Sequence, residues 1–292
     1  MLKKLITTGA MIATVTGFTC TIDGNEGLVP ENDMWIAPNS KSANLTMDEA
    51  RFNAIIDKVT AIYEPIISAL GKNLVVERKW EDGTVNAYAQ QQGNTWKVSM
   101  FGGLARHEAI TEDGFALVVC HEIGHHIGGA PKKKSWFSTS WASNEGQADY
   151  FATSKCLRKA YRAENNAELV SKLNVPSAVV SQCASQFSEL ADQLICQRGA
   201  MAGMSTAKLF QSLRNSPTLP DFTTPDSTIV SRTNHNHPAF QCRLDTYLSG
   251  ALCNISETID VDQKDEAVGV CYRKSGDTVG VRPLCWFKPS AL

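Results

Sequence analysis

Residues 115–127 read Phe-Ala-Leu-Val-Val-Cys-His-Glu-Ile-Gly-His-His-Ile, and this stretch decides the fold. Thr111-Glu112-Asp113 precedes it and Gly128-Gly129-Ala130-Pro131 follows it. A Thr cap with acidic residues in the first turn starts a helix, and a Gly-Gly-Ala-Pro run stops one. The body between them is apolar enough to be a buried helix. On such a helix His121 and His125 stand at i and i+4, one turn apart on one face. Two imidazoles so placed converge on a single metal ion, and zinc accepts imidazole nitrogen readily. Glu122 lies beside them, where a carboxylate can take a proton from water and pass it to a leaving amine. His126 points about 100° away from His125 and is not expected to be a ligand. His107, in the loop before the helix, receives no role.

A metal held for catalysis needs a third protein ligand and an open position. Twenty positions after His125 the chain reads Asn144-Glu145-Gly146-Gln147-Ala148-Asp149. A second helix is expected to start near Ser143 or Asn144 and run to about Arg162. Glu145 and Asp149 then share a face, again at i and i+4. Glu145 is the expected third ligand. Asp149 is expected to accept the remaining N–H of a metal-bound imidazole and fix its tautomer. One Zn2+ per chain follows as the cofactor.

Outward from this pair, a helix is expected from Thr46, with Glu49 completing a capping box, through Leu70 to Gly71. Leu74–Trp80 reads as a strand, and Asn86–Gln91 with Thr95–Phe101 as a hairpin about Gly93-Asn94. Lys132–Lys134 reads as a solvated loop. Residues 164–215 read as helical with breaks at Pro176 and Pro217, 216–236 as a loop, and Pro238–Leu252 as a helix. The tail is irregular, with a strand expected near Val268–Tyr272. The fold class is therefore α+β: a small sheet packed on the helix of His121, a helical C-terminal half and a disulfide-tied tail. The expected division is 1–20 signal segment, 21–45 linker or surface strap, 46–252 catalytic domain and 253–292 tail.

The chain of 292 residues has a formal net charge of −2 and no basic stripe, which argues against nucleic acid as a partner. Lys3 and Lys4 followed by the apolar Leu5–Phe18 have the layout of a signal peptide, too short to span a bilayer. The protein is thus expected to be exported, periplasmic or secreted. Cys20 sits where a lipoprotein carries its lipidated cysteine, although Gly17-Phe18-Thr19 matches a lipobox poorly. A lipid anchor there is the alternative to plain secretion. Of nine cysteines, the eight beyond Cys20 form an even set that favours disulfides in an exported chain. Cys242, Cys253, Cys271 and Cys285 form a local group, whereas Cys120 is expected to be a buried thiol.

The motif His-Glu-x-x-His followed by a glutamate on a later helix resembles the gluzincin peptidases. Within them the chain looks most like the M48 family, with the thermolysin-like enzymes as the rival. Asn86-Ala87-Tyr88-Ala89, Gly103-Leu104, the Glu145/Asp149 pair and His237-Pro238 with Arg243-Leu244 carry the M48 resemblance. It implies a zincin-like metallopeptidase that hydrolyses peptide bonds in exported or envelope proteins, with peptide or unfolded protein as substrate. It implies that His237 approaches the cleft, either steadying the oxyanion or occupying the open metal position. Arg243 would brace the wall, and Tyr150 and Tyr247 are further oxyanion candidates. The edge strand that binds peptide is expected within Thr95–Phe101. A latent chaperone or binding module with a closed zinc site is the alternative function, and a purely structural zinc protein a third.

Overall fold

The computed structural model describes residues 27–40 and 47–290. The signal segment, Cys20 and Thr46 lie outside the described residues. The first helix, α1 (Glu49–Ala69), is capped by Asp48, whose carboxylate accepts the Arg51 N–H at 2.7 Å. Its apolar stripe, Phe52, Ile55, Ile56, Val59, Tyr63 and Ile67, is buried, and the helix runs through Pro65. Gly71 closes it at φ +72°, where its N–H and that of Lys72 reach back to the Ser68 and Ile67 carbonyls. Those two bonds satisfy carbonyls that a helix end otherwise leaves open.

Three strands follow: β1 (Asn73–Lys79), β2 (Ala87–Gln92) and β3 (Thr95–Phe101). β2 and β3 form the expected hairpin, but β1 adds parallel to β3 on the other side, giving the order β1-β3-β2. The strand expected at the edge, Thr95–Phe101, is therefore the centre, and β2 is the edge that lies beside the next long helix. The short α2 (Gly102–Ala105) leads to α3 (Glu112–Ile127), which carries the histidines. Thr111 caps α3 through a bond from the Gly114 N–H to its hydroxyl, and every residue from Gly114 to His126 is buried. α1, the sheet and the inner face of α3 share one apolar core.

A hairpin absent from the sequence reading comes next. β4 (Lys132–Lys134) pairs antiparallel with β5 (Thr139–Ser143), and the exposed Trp136 and Phe137 sit between them. The lysine run is a strand rather than a loop because Lys132 is half-buried and its ammonium donates to the Trp141 carbonyl at 2.5 Å. β5 delivers the chain into α4 (Glu145–Phe151), a π-helical turn (Ala152–Cys156) and α5 (Leu157–Tyr161). The helical half continues with α6 (Asn166–Ser171), α7 (Ser177–Gln186), α8 (Leu190–Leu213) and α9 (Phe240–Leu252). The break at Phe187–Glu189, between α7 and α8, has neither Gly nor Pro to announce it.

Four disulfides join Cys120 to Cys156, Cys183 to Cys196, Cys242 to Cys285 and Cys253 to Cys271. Cys120 is thus not a thiol: the π-helical turn places Cys156 against it, with the Cα atoms 5.6 Å apart, within bridging range. Such a set marks an oxidising compartment. The tail forms no strand at 268–272; it is irregular and closes over the buried Trp286. Among the described residues no helix is long and apolar enough to cross a membrane.

Candidate metal centre

α3 and α4 cross closely because glycine sits at the contact. A Cβ on Gly124 would lie 3.1 Å from the Phe151 ring and 3.2 Å from Ala148; where α4 meets the tail, one on Gly146 would lie 2.4 Å from Trp286. Asn144 caps α4, its side-chain oxygen accepting the Gln147 N–H at 2.9 Å. The Gln147 amide in turn donates to the Gly128 carbonyl at the end of α3, at 2.7 Å. The two helices thereby bring Glu145 opposite His121 and His125.

The Nε2 atoms of His121 and His125 stand 3.0 Å apart. Glu145 Oε2 is 3.3 Å from the first and its Oε1 is 3.6 Å from the second. The other nitrogen of each ring is committed. His125 Nδ1 lies 2.9 Å from the Ser143 carbonyl, which can only accept, so the proton is on Nδ1. His121 Nδ1 lies 2.8 Å from Asp149 Oδ1. The two Nε2 atoms and a carboxylate then face one buried point, where a cation can take the place of a proton. The three side chains form a group whose ligand atoms all lie within 4.8 Å of one another, so they can hold a metal ion. The other such cluster among the described residues, Asp226 with Cys242 and Cys285, offers no thiolate because its sulfurs form a disulfide.

Asp149 is the hub behind the centre. Besides His121 it accepts two bonds from Arg243, each 2.8 Å, and one from the Tyr247 hydroxyl at 2.7 Å. Tyr247 is therefore a brace for Asp149, and Tyr150 donates to the Gly280 carbonyl at 2.5 Å; neither hydroxyl is placed for an oxyanion. His237 stands at the rim, its Nε2 3.5 Å from Glu145 Oε2 and 2.9 Å from the Gly27 carbonyl. His126 turns away as expected and is sandwiched between Trp96 and Trp141, ring centroids 5.1 and 5.0 Å off. His107 is occupied away from the site, accepting the Ala109 N–H at Nδ1 and lying 3.3 Å from the Ser212 hydroxyl at Nε2.

Glu122 is fully buried and neither of its carboxylate oxygens has a hydrogen-bond partner. Burial raises its pKa to about 8. Burial disfavours the His121 cation, but Asp149 and Glu145 outweigh it and hold its pKa at about 9, whereas burial drives His125 down to about 4. Burial also opposes ionisation of Glu145, yet His237, His125 and His121 keep its carboxyl below the usual range. A buried carboxyl group with no hydrogen-bond partner is costly even when neutral, so Glu122 is arranged for something other than stability.

Two participants escaped the sequence reading. Ser143 orients His125 through its backbone, which no side-chain pattern reveals. Asn86, expected as the start of a strand and as part of a resemblance but given no role at the site, is buried and binds the N–H and carbonyl of Val29 at 3.2 and 3.0 Å. A polar residue just before an edge strand, with apolar neighbours Val85 and Ala87, was the available signal. No family model matches the chain, and no curated protein or solved structure matches it.

Proposed function

We propose that this chain is a zinc-dependent endopeptidase with a zincin-like, M48-like catalytic domain, acting on exported or envelope polypeptides. The observation that carries this reading is Glu122: an unpartnered, buried carboxyl directly beside two imidazoles whose Nε2 atoms stand 3.0 Å apart. A structural metal site has no use for it.

His121, His125 and Glu145 would hold the ion. Bound there, zinc acidifies water and polarises a carbonyl. Glu122, raised toward neutral pH by burial, takes the proton from water and delivers it to the leaving nitrogen. Asp149 fixes the His121 tautomer, and Arg243 balances the Asp149 charge. His237 offers a ring N–H to the oxygen of the carbonyl under attack. An extended peptide adds to the edge of β2, where the Ala87 carbonyl already accepts an N–H from outside the sheet.

The latent-module reading draws on one observation, the seating of Gly27 against His237. A chelation experiment separates the two. The purified protein should contain one zinc per chain and hydrolyse unfolded casein, lose both under a chelator and regain both on adding Zn2+. Full zinc without hydrolysis of casein would favour the latent module.

A further inference from the structure

Residues 27–29 are held as a peptide is held in a cleft. Five successive backbone groups, from the Gly27 carbonyl to the Val29 carbonyl, each meet a partner. His237 Nε2 lies 2.9 Å from the Gly27 carbonyl, to which its ring N–H can donate. The Leu28 N–H donates to the Ala87 carbonyl at 2.9 Å. Arg243 Nη1 donates to the Leu28 carbonyl at 2.9 Å. Asn86 takes the Val29 N–H and donates to the Val29 carbonyl. These partners are the edge strand and the wall of the metal centre.

The order of contacts sets a register. The Gly27 carbonyl lies on His237, whose Nε2 is 3.5 Å from Glu145 Oε2, and the Leu28 carbonyl lies on Arg243, whose Nη2 is 3.8 Å from the same oxygen. Leu28, on the amine side of the Gly27 carbonyl, is fully enclosed, and Val29 nearly so. Gly27 has φ +69°, and a Cβ there would lie 2.7 Å from both Asn86 Oδ1 and Tyr88 Cε1, so only glycine seats well. Downstream, Arg106 grips the Ile36 carbonyl with two donors, at 3.1 and 2.8 Å, anchoring the strap on its far side.

We propose that the Gly27–Leu28 bond is the first substrate of this site, hydrolysed within the same molecule to leave a chain that begins at Leu28. The proposal rests on the peptidase reading. The oxygen of one water joins the Gly27 carbonyl carbon and the bond to the Leu28 nitrogen breaks. Glu122 passes the water's proton to that nitrogen, so Gly27 departs as a carboxylate and Leu28 remains as an amine. The same register assigns Asn86 and Arg243 as residues that position substrate, with a small residue before the cleaved bond and an apolar one after it.

The test uses the full chain prepared under chelation, wild type beside Glu122→Gln and Gly27→Val, with Zn2+ then added. Intact mass and N-terminal sequencing should show the wild type newly starting at Leu28. Glu122→Gln should stay uncut, and Gly27→Val should be cut at least tenfold more slowly. A readout free of turnover is hydrogen exchange on the zinc-free Glu122→Gln chain. The Leu28 and Val29 amides should be protected there, and should exchange at least tenfold faster in the Gly27→Val form. Unprotected amides, or a cut at another bond, would overturn the proposal. A wild type that digests casein but keeps its 27–28 bond would overturn self-cleavage and leave the peptidase reading standing. A zinc-loaded wild type that cuts neither would sink both.

Discussion

The α3–α4 crossing and the tail of residues 253–290 solve the same problem by opposite means. At the crossing, regular helices bury apolar faces and one charged network, so most of the order is local and repeats every turn. The tail has little regular backbone, and cross-links and single large side chains fix it. Yet the two are joined. Trp286 lies against Gly146, and its indole N–H donates to Thr246 at 2.9 Å. The buried Arg282 donates to the Gln147 side chain and to the Ala130 carbonyl, at 2.9 and 3.1 Å. The helix that presents Glu145 is therefore positioned from the front by spacing and from the back by a covalently pinned buttress. The lesson is that the placement of a candidate metal ligand can rest on a segment with no chemistry of its own.

The largest effect should come from the crossing. Arg243→Ala leaves Asp149 as a buried charge without its cation, a loss of about 3–5 kcal/mol. Urea unfolding should show it, with His121 losing its fixed tautomer and zinc affinity falling as well. In the tail, replacing Cys242 and Cys285 by serine frees a loop closed over 43 positions and should cost about 3–4 kcal/mol. If the buttress acts on Glu145, zinc affinity falls with it; if stability drops and affinity does not, the two regions are independent. Gly146→Ala tests the contact itself. The new methyl meets the Trp286 ring at 2.4 Å, which should cost about 1–3 kcal/mol and shift zinc release.

The smallest effect lies away from both regions, as a control. Glu77 is held at a pKa of about 2, chiefly by the Ser99 hydroxyl and then by Lys97 and Lys79, with burial opposing. Its folded value is depressed, so its contribution is complete above the ordinary carboxylate value of about 4.5 and fades as pH falls toward about 2. The site is partly exposed and screened, so Glu77→Gln should flatten the acid limb of unfolding by less than about 1 kcal/mol. Zinc binding should not change.

Much of the crossing was legible in the sequence because helix geometry is a local rule. The Thr111 cap, the Gly128 stop and the i, i+4 spacings place five side chains with no knowledge of the rest of the fold. What the sequence withheld was long-range. Alternation marks Thr95–Phe101 as a strand but cannot tell that β1 will add to it in parallel and make it central. Cys120 reads as an apolar helix residue until the π-helical turn sets Cys156 beside it. The Phe187–Glu189 break has no Gly or Pro, and the segment expected as a strand at 268–272 is irregular, with Cys271 cross-linked to Cys253. His237 meets Gly27 across 210 positions, a contact that no spacing rule reaches.

The most direct test of the account is zinc binding by equilibrium dialysis together with casein hydrolysis, on wild type, Glu122→Gln and His121→Ala. The account predicts one zinc bound to wild type and to Glu122→Gln, at least a thousandfold loss of hydrolysis in Glu122→Gln, and weak binding with no hydrolysis in His121→Ala. A Glu122→Gln protein that binds zinc and hydrolyses casein at the wild-type rate, or a wild type that binds no zinc, would contradict it.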